Sequence, residues 1–401
     1  MGYAAMKTAI DTDTDYLLSR QPVYDSKINV AAYELRSAHT PETALAIYNM
    51  FTSTGLDQIV GEHEGIISLI PEVLSDDLWQ QIPSSRVTIA YFADIEPVRD
   101  TIRRVFTLAK KGYRIAVSDS LSPDSLETLG NVAHIIKLDI LRYMPDVLER
   151  RIRELRNFDA KLLAEHVDSY DEMEYSKSLG FDLYQGGFLC KPAAGKKELP
   201  VNRLTMMRLL AKLQDPKLAM ADLEKIVSLD VTLSYKMLQY ANSAAVALPR
   251  DVTSIGHAVR MLGMELLKTW STALLLSSVE DKPQELMNLS LVRARMCQQL
   301  AEAKKIPNKE SFLSGGLLSV LDALLDCPME KAVAELPLAD EIKDALIKQT
   351  GPIGEALRCT IAYERADWDN VKFQGLPLAS IRESYMDAIA WARKLYSGLL
   401  T

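Results

Sequence analysis

The first half of the chain alternates short apolar runs with helix-length segments, and this pattern constrains the fold more than any other feature. Strands separated by helices are typical of α/β folds, and eight strand candidates favour a closed barrel over an open sheet. The first two candidates are joined only by the polar turn 25–27, which is too short for a parallel crossover. We therefore predict an irregular (β/α)8, TIM-like barrel whose first two strands pair antiparallel. The strand candidates are Tyr16–Val23, Val30–Leu35, Gly65–Leu69, Val87–Phe92, Tyr113–Val117, His134–Leu138, Lys161–Ala164 and Phe181–Tyr184.

Helical patterns fill most of the intervals between these runs. They are Pro41–Thr54, Pro71–Gln81, Val98–Lys111, Leu121–Leu129, Pro145–Phe158 and Ser169–Leu179. Beyond Asn202 the apolar residues recur with the helical period throughout, and strand-like alternation is absent. The second half is therefore predicted to be all-helical. Its predicted helices are 203–213, 219–228, 231–242, 252–262, 263–279, 285–304, 309–326, 339–350, 353–365 and 377–399.

These patterns divide the chain into four parts. Residues 1–14 are a predicted leader, and residues 15–192 are the predicted barrel. Residues 193–200 contain Gly, Pro and charged residues, which is typical of a linker. Residues 201–401 form the predicted helical domain.

Composition excludes several classes of protein. A net charge of −8 over 401 residues disfavours a general nucleic-acid binder. No apolar run approaches the roughly 20 residues that a membrane-spanning helix needs. The four cysteines lack the CxxC spacing of many metal and redox sites, so reduced thiols are expected. We predict a cytoplasmic protein with no membrane or nucleic-acid partner, and leave a homodimer open.

Polar residues follow two neighbouring predicted strands of the barrel. Ser118 and Asp119 follow one of them, and Lys137 and Asp139 end the next. In a parallel α/β barrel the chemistry lies at the carboxyl ends of the strands. A hydroxyl, two carboxylates and an ammonium there suggest a phosphate or metal site that has lost part of its charge. The alternative is that these are ordinary polar strand ends.

Five motifs in order give the first half a resemblance to the EAL domain, the barrel that hydrolyses cyclic di-GMP. Tyr33–Arg36 stands where the Glu-Ala-Leu motif of that family would be. The other four motifs are Arg20–Asp25, Ile136–Asp139, Ala164–Val167, and Tyr184–Phe188 with Lys191 and Pro192.

The second half resembles the HDOD domain, a helical relative of metal-dependent HD phosphohydrolases. Where those enzymes have an adjacent His-Asp pair, this chain has Ser319 and Val320, and His257 is the single histidine beyond residue 200. A barrel followed by an HDOD domain resembles a family of bacterial signal-transduction proteins. The motifs that carry the HDOD resemblance are Ser228–Leu233, Ala241–Ala244, Ser254–Gly263 and Gly316–Leu324.

The EAL resemblance implies a two-metal site built largely from carboxylates. The positions that the chain retains from that site are Glu34, Asp119, Lys137, Glu165 and Gln185. The positions at which a ligand of the family is replaced are Ser68, Ala90 and Ser118. The Arg that meets a phosphate in the family falls at Ala38. Since alanine cannot ligate and serine is a poor substitute for a carboxylate, the resemblance implies that metal binding is lost.

From these replacements we predict a pseudoenzyme with no cofactor and no resident metal, for which cyclic di-GMP is not expected as a ligand. It would act as a signal-transduction or scaffold protein through contacts with protein partners of unknown identity, with the output in the helical domain. Two alternatives stay open: a cyclic di-GMP receptor that does not cut its ligand, and an active cyclic di-GMP phosphodiesterase.

Overall fold

The computed structural model forms two compact units. The first contains the barrel together with Tyr363–Asp369 and Pro377–Arg382, and the second contains the helical region from Leu189. The predicted leader, most of the predicted linker, Ala38 and the predicted helices at 41–54, 71–81 and most of 231–242 lie outside the described residues. The described residues are 17–37, 55–69, 83–91, 97–193, 201–215, 217–228, 235, 237–239, 241–242, 252–277, 279 and 281–399.

The barrel closes with its strands in sequence order. The first strand is antiparallel to both of its neighbours, the second and the eighth, whereas the second to the eighth strands are parallel. The predicted irregular barrel and its antiparallel first pair are therefore confirmed. The strands are β1 Leu18–Tyr24, β2 Val30–Ser37, β3 Glu64–Leu69, β4 Val87–Tyr91, β5 Arg114–Ser118, β6 Ile135–Asp139, β7 Lys161–Glu165 and β8 Leu183–Tyr184.

Local signals explain where the barrel helices begin. Ser122 accepts a hydrogen bond from the Ser125 amide and precedes a proline at the first helical turn. Ser169 and Glu172 form a reciprocal capping box. The described helices of this region are α1 Leu56–Val60, α2 Arg99–Lys110, α3 Pro123–Gly130, α4 Pro145–Leu155 and α5 Tyr170–Ser178.

One buried apolar layer crosses the barrel interior and orients the polar residues above it. Each strand contributes one side chain to this layer, and the contributors are Val23, Ala32, Ile66, Ala90, Ala116, Ile135, Leu163 and Leu183. Side chains two positions apart on a strand point to the same face. The residue two positions beyond each contributor of β2 and β5 to β8 therefore also points inward, nearer the carboxyl ends of the strands.

The second unit is helical, so the predicted fold class is confirmed for both halves. The helix Met329–Ala334 was not predicted, and the predicted helix 309–326 divides into the helix Lys309–Leu317, a 3-10 turn at Leu318–Val320 and the helix Leu321–Leu325. Among the described helices, none is long and apolar enough to span a membrane. The described helices beyond residue 200 are α6 Val201–Gln214, α7 Met220–Ser228, α8 Ile255–Leu262, α9 Met264–Ser277, α10 Gln284–Ala303, α11 Lys309–Leu317, α12 Leu321–Leu325, α13 Met329–Ala334, α14 Asp340–Lys348, α15 Gly351–Glu364 and α16 Leu378–Leu399.

The structure shows how two sets of residues in the helical region are packed or hydrogen-bonded. The helical-period apolar residues of α16 are buried, and they are Ile381, Tyr385, Ala388, Ile389, Ala392 and Leu395. The side chain of Asn242, which belongs to the HDOD motif Ala241–Ala244, pairs with the backbone of Val252. Asn242 Nδ2 donates to the Val252 carbonyl at 2.8 Å, and Oδ1 accepts from the Val252 amide at 2.6 Å. The amide group thus holds together two segments of the unit that are ten residues apart.

Candidate functional site

Three charged side chains from three strands meet inside the carboxyl end of the barrel. Lys137 on β6 places its Nζ 2.7 Å from Glu34 Oε1 on β2 and 2.7 Å from Glu165 Oε1 on β7. Each residue lies two positions beyond a member of the apolar interior layer, which explains why all three point inward. The sequence grouped Lys137 with Asp139, whereas in the structure its ammonium contacts Glu165 and Glu34.

Arg36 joins this cluster and was not predicted as a site residue. It lies two positions beyond Glu34 on β2, so both side chains share a face of the strand. Its Nε and Nη2 donate to Glu34 Oε2 at 3.3 and 3.2 Å, and its Nη2 lies 3.5 Å from Glu165 Oε1. Its spacing of two residues from Glu34 was the signal that could have identified it. The resemblance instead aligned the phosphate-binding arginine of the family with Ala38. We call Glu34, Arg36, Lys137 and Glu165 the four-charge cluster.

Gln185 completes the wall of this site. It follows β8, and its Nε2 donates to Glu34 Oε2 at 2.8 Å. The side chain is 2% exposed, and within the described part of the chain no group donates a hydrogen bond to its Oε1. A buried acceptor of this kind is costly unless a water molecule or a ligand supplies the donor.

Burial and neighbouring charges have opposite effects on the pKa of Glu34, and the effect of the charges is the larger. Burial by itself would raise the pKa of the Glu34 carboxyl, but the positive charges of Lys137 and Arg36 hold that pKa well below its usual range. Burial also disfavours the charge on Lys137 and on Arg36, yet the neighbouring glutamates raise the pKa of both. Glu34, Lys137 and Arg36 therefore remain charged at neutral pH, because each is stabilised by neighbours of opposite charge.

Asp119 lies outside the four-charge cluster, although it is one of the positions retained from the EAL pattern. Ala116 and Ser118 face the interior of β5, so Asp119, one residue later, points to the other side. Its carboxylate accepts hydrogen bonds from the Tyr143 hydroxyl and from Arg151 Nε, the latter at 3.4 Å. Burial raises the pKa of Asp119, and these two contacts oppose the rise.

Asp139 also pairs away from Lys137. Its Oδ1 lies 3.1 Å from His166 Nδ1, and its Oδ2 lies 3.4 Å from Arg142 Nε. His166 follows Glu165 with a left-handed φ of 60°, an uncommon conformation for a residue other than glycine. The four polar residues that the sequence placed together at the ends of β5 and β6 are thus divided among separate pairs.

The three replaced positions supply no carboxylate to the described site. Ala90 is buried in the apolar layer, and Ser118 Oγ lies 2.9 Å from Ser120 Oγ. Ser68 pairs with Ala90 in the backbone register of β3 and β4. The two carboxylates of the cluster are already bound by an ammonium and a guanidinium. Among the described residues, no group of three His, Cys, Asp or Glu side chains could hold a metal ion, so this arrangement does not fit a two-metal set.

Gly186 and Gly187 shape the backbone beside Gln185. A Cβ on Gly186 would lie 2.0 Å from the Val167 carbonyl oxygen, so only glycine fits there. The Gly187 amide donates to Asp168 Oδ1 at 2.7 Å. This close approach holds the end of β8 against the loop after β7, and it fixes the position of Gln185 relative to Glu165.

In the helical unit, an arginine contacts the position that corresponds to the His-Asp pair. Arg293 is 3% exposed, and its guanidinium donates to Cys190 Sγ at 3.2 Å and to Ser319 Oγ at 3.5 Å. Asp322 Oδ1 accepts from the Ala323 amide at 2.8 Å, and burial raises the pKa of its carboxyl. The positive charge of the Arg293 guanidinium beside Ser319 disfavours binding of a metal cation at this position.

Comparisons with known proteins find one family model and relatives that match most of the chain. The HDOD domain model matches residues 199–340. The protein named cyclic di-GMP phosphodiesterase CdgJ of Vibrio cholerae is 28% identical over 96% of this chain and 94% of its own length. The uncharacterised protein YuxH of Bacillus subtilis is 26% identical over 94% of this chain and 98% of its own length.

Solved structures with EAL domains are also similar to this chain. The YkuI protein of Bacillus subtilis, with an EAL domain and in complex with cyclic di-GMP and calcium, has a TM-score of 0.38 and 16% identity, and the match covers 65% of this chain and 76% of YkuI. A standalone EAL protein of Vibrio cholerae in its cyclic di-GMP-bound form has a TM-score of 0.35 and 17% identity, with 43% of this chain and 90% of that chain covered.

Two predictions from the sequence are wrong against these comparisons. The prediction of a chain that is not an enzyme is contradicted by the name of the Vibrio relative, a phosphodiesterase that matches nearly the whole chain. The prediction that cyclic di-GMP is not a ligand is contradicted by the same name, which specifies cyclic di-GMP as the substrate of that relative. Both predictions rested on a few aligned positions, and carboxylates near those positions, such as Asp94 and Glu96, lie outside the described residues. The barrel, the ordered motifs, the HDOD match over residues 199–340 and the two relatives that are similar over nearly the whole chain support an EAL–HDOD organisation.

Proposed function

We propose that the chain is a cyclic di-GMP signalling protein whose barrel binds this dinucleotide at the carboxyl end of its strands. The observation that carries the proposal is the four-charge cluster, which places Arg36 and Lys137 at the position where parallel barrels bind their ligands. The name of the full-length Vibrio relative supports the same ligand. Cationic side chains fixed by neighbouring carboxylates suit the phosphodiester groups of such a molecule.

Titration calorimetry with the full-length protein and cyclic di-GMP in the presence of Mn²⁺ tests this proposal. We expect saturable binding with a Kd of about 10 μM or tighter, and at least about tenfold weaker binding of cyclic di-AMP. The same samples are then followed by chromatography for the linear dinucleotide, which separates an enzyme from a receptor. Absence of saturable binding to cyclic di-GMP would contradict the proposal.

A matched pair of variants locates the site. Glu165→Gln removes a carboxylate that contacts Lys137 and should change the affinity, because the ammonium loses one of its two anchors. Glu149→Gln alters a half-exposed residue on α4, whose partner Arg153 lies 3.9 Å away on the same helix. We expect Glu149→Gln to bind as the unmodified protein does. Equal effects of the two variants would place the binding site elsewhere.

We further infer that the helical domain carries output through protein contacts. The signature side chain Asn242 is engaged with the Val252 backbone, which favours a structural role over a ligand-binding one. Cross-linking of the full-length protein in cells, followed by mass spectrometry, should place partner cross-links within 201–401. Partner cross-links confined to the barrel would contradict this assignment.

A further inference from the structure

The carboxylates of the barrel mouth already have cationic partners supplied by the protein itself. Lys137 Nζ bridges Glu34 and Glu165 at 2.7 Å each, and Arg36 Nη2 lies within 3.5 Å of the same two residues. Two carboxylates and two cations balance in charge. A divalent ion bridging Glu34 and Glu165 would have to displace both the ammonium and the guanidinium.

Because the replaced positions carry no carboxylate, two monovalent cations are enough to neutralise the described carboxylates of the mouth. Ala90 and Ser118 contribute no carboxylate, so the described residues of the mouth carry less negative charge than a site built for two divalent ions. A phosphate entering this mouth therefore meets less repulsion than it would beside additional uncompensated carboxylates. Its negative charge needs neutralising by only a small number of positive groups.

Both cations keep hydrogen-bond donors for a ligand. Arg36 uses Nε and Nη2 toward Glu34, and no described residue accepts a hydrogen bond from its Nη1. The Arg36 side chain is 29% exposed, so the guanidinium is accessible from the mouth. The Lys137 ammonium has three donors, of which the two glutamates take two. Because the glutamates fix both side chains in place, little conformational entropy is lost when a ligand binds.

The acceptor on Gln185 points to the same ligand. Its Oε1 is buried, and within the described residues it receives no hydrogen bond, while Nε2 is fixed by Glu34. A nucleotide hydroxyl or ring N–H would supply a donor to this oxygen. The mouth thus offers cationic donors and a neutral acceptor side by side, which matches a phosphodiester attached to a sugar or base.

We propose that Arg36 and Lys137 bind a phosphodiester group of cyclic di-GMP directly, in place of divalent metal ions. This inference rests on the proposed function, because it assigns the chemistry by which that same ligand is held. Arg36 is the residue that tests this metal-independent binding most directly, since its guanidinium presents a planar pair of donors to a phosphate.

Calorimetry of the full-length protein with cyclic di-GMP tests the inference in EDTA and in excess Mn²⁺. We expect the affinity to be the same within about twofold in the two buffers. Arg36→Gln should weaken binding by about 10- to 100-fold, the loss expected for a charge-assisted contact. Arg36→Lys, which keeps the charge, should recover part of that loss. The control Arg153→Gln alters a side chain on α4 that is 70% exposed, and should leave affinity unchanged.

The outcomes separate the two proposals. Binding that appears only with Mn²⁺ overturns metal-independent recognition and leaves the proposed function intact. Binding that is unaffected by Arg36→Gln, in a variant whose circular dichroism matches the unmodified protein, also overturns the inference alone. If cyclic di-GMP binds in neither buffer, both the inference and the proposed function are wrong.

Discussion

Replacing Asp326 with Asn should destabilise the helical unit strongly. This residue directly follows α12, and its carboxylate is the buried acceptor for two cations. Oδ2 accepts from Arg203 Nη1 at 2.7 Å, and Oδ1 accepts from Lys282 Nζ at 2.5 Å and from the Ala193 amide at 2.9 Å. The Asp326 side chain is 0% exposed and that of Arg203 is 1% exposed. A charged group so enclosed depends on its partners for charge compensation.

The magnitude follows from what the substitution removes. Asparagine has nearly the same shape, and it tolerates the left-handed φ of 52° found at this position, so backbone strain is small. The loss therefore comes from the charge. Hydrogen bonds to charged groups contribute about 1.5–3 kcal/mol each, and breaking a buried ion pair costs about 3–5 kcal/mol. We expect Asp326→Asn to lower the free energy of unfolding by about 3 kcal/mol.

Urea unfolding of the full-length protein, followed by far-UV circular dichroism, measures this loss. Asp344→Asn is the matched control, because Asp344 pairs with Lys348 at 2.8 Å on the surface of α14, with side chains 50% and 64% exposed. Such exposed pairs contribute less than about 1 kcal/mol. Losses of equal size in the two variants, or a loss below about 1 kcal/mol for Asp326→Asn, would refute the reasoning.

The pH dependence gives an independent check on the same residue. Burial opposes ionisation of Asp326, but hydrogen bonds from Lys282 and Arg203 lower its pKa from 3.8 to about 2. A group whose pKa is lower in the folded state stabilises the fold above its ordinary pKa. This stabilisation should be lost as the pH falls from about 4 to about 2. The acid unfolding curve of Asp326→Asn should therefore be shallower over that interval than the curve of the unmodified protein.

Three further predictions concern the barrel. Gly186→Ala should cost more than about 2 kcal/mol in urea unfolding, because its Cβ would lie 2.0 Å from the Val167 carbonyl oxygen; an unchanged midpoint would contradict this. Tyr143→Phe removes the hydroxyl that donates to Asp119 and should lower the free energy of unfolding by about 1–2 kcal/mol, measured in the same way. Lys137→Met leaves the two glutamates of the cluster with one guanidinium, so one carboxyl should bind a proton near neutral pH. Thermal unfolding of that variant should then show a higher Tm at about pH 5 than at about pH 7, and a lower Tm at the acidic pH would exclude it.

Much of the site was predictable from sequence because strand geometry is local. Side chains alternate along a strand, so the interior position of Ala32 already implies that Glu34 and Arg36 share its face. The resemblance to the EAL domain selected Glu34, Lys137, Glu165 and Gln185, and all four lie at the mouth of the barrel. Arg36 was not predicted because the family's arginine aligns with Ala38. The alternation of side chains along β2 nevertheless directs Arg36 into the barrel.

The tertiary structure decided which charges meet. Lys137 and Glu34 are 103 positions apart, and Gln185 and Glu34 are 151 apart, so only the closed circle of strands brings them within hydrogen-bond distance. The partners of the Asp119 side chain could also be identified only from the structure. Tyr143 and Arg151, which contact its carboxylate, follow β6 in the chain.

The sequence by itself determined the barrel, the helical second half and the inventory of charged residues, since apolar periodicity and strand alternation are properties of neighbouring residues. Only the tertiary structure decided that Arg36 and Lys137 neutralise Glu34 and Glu165. Coulomb energy depends on the distance and burial of each pair, and both are set when the eight strands close.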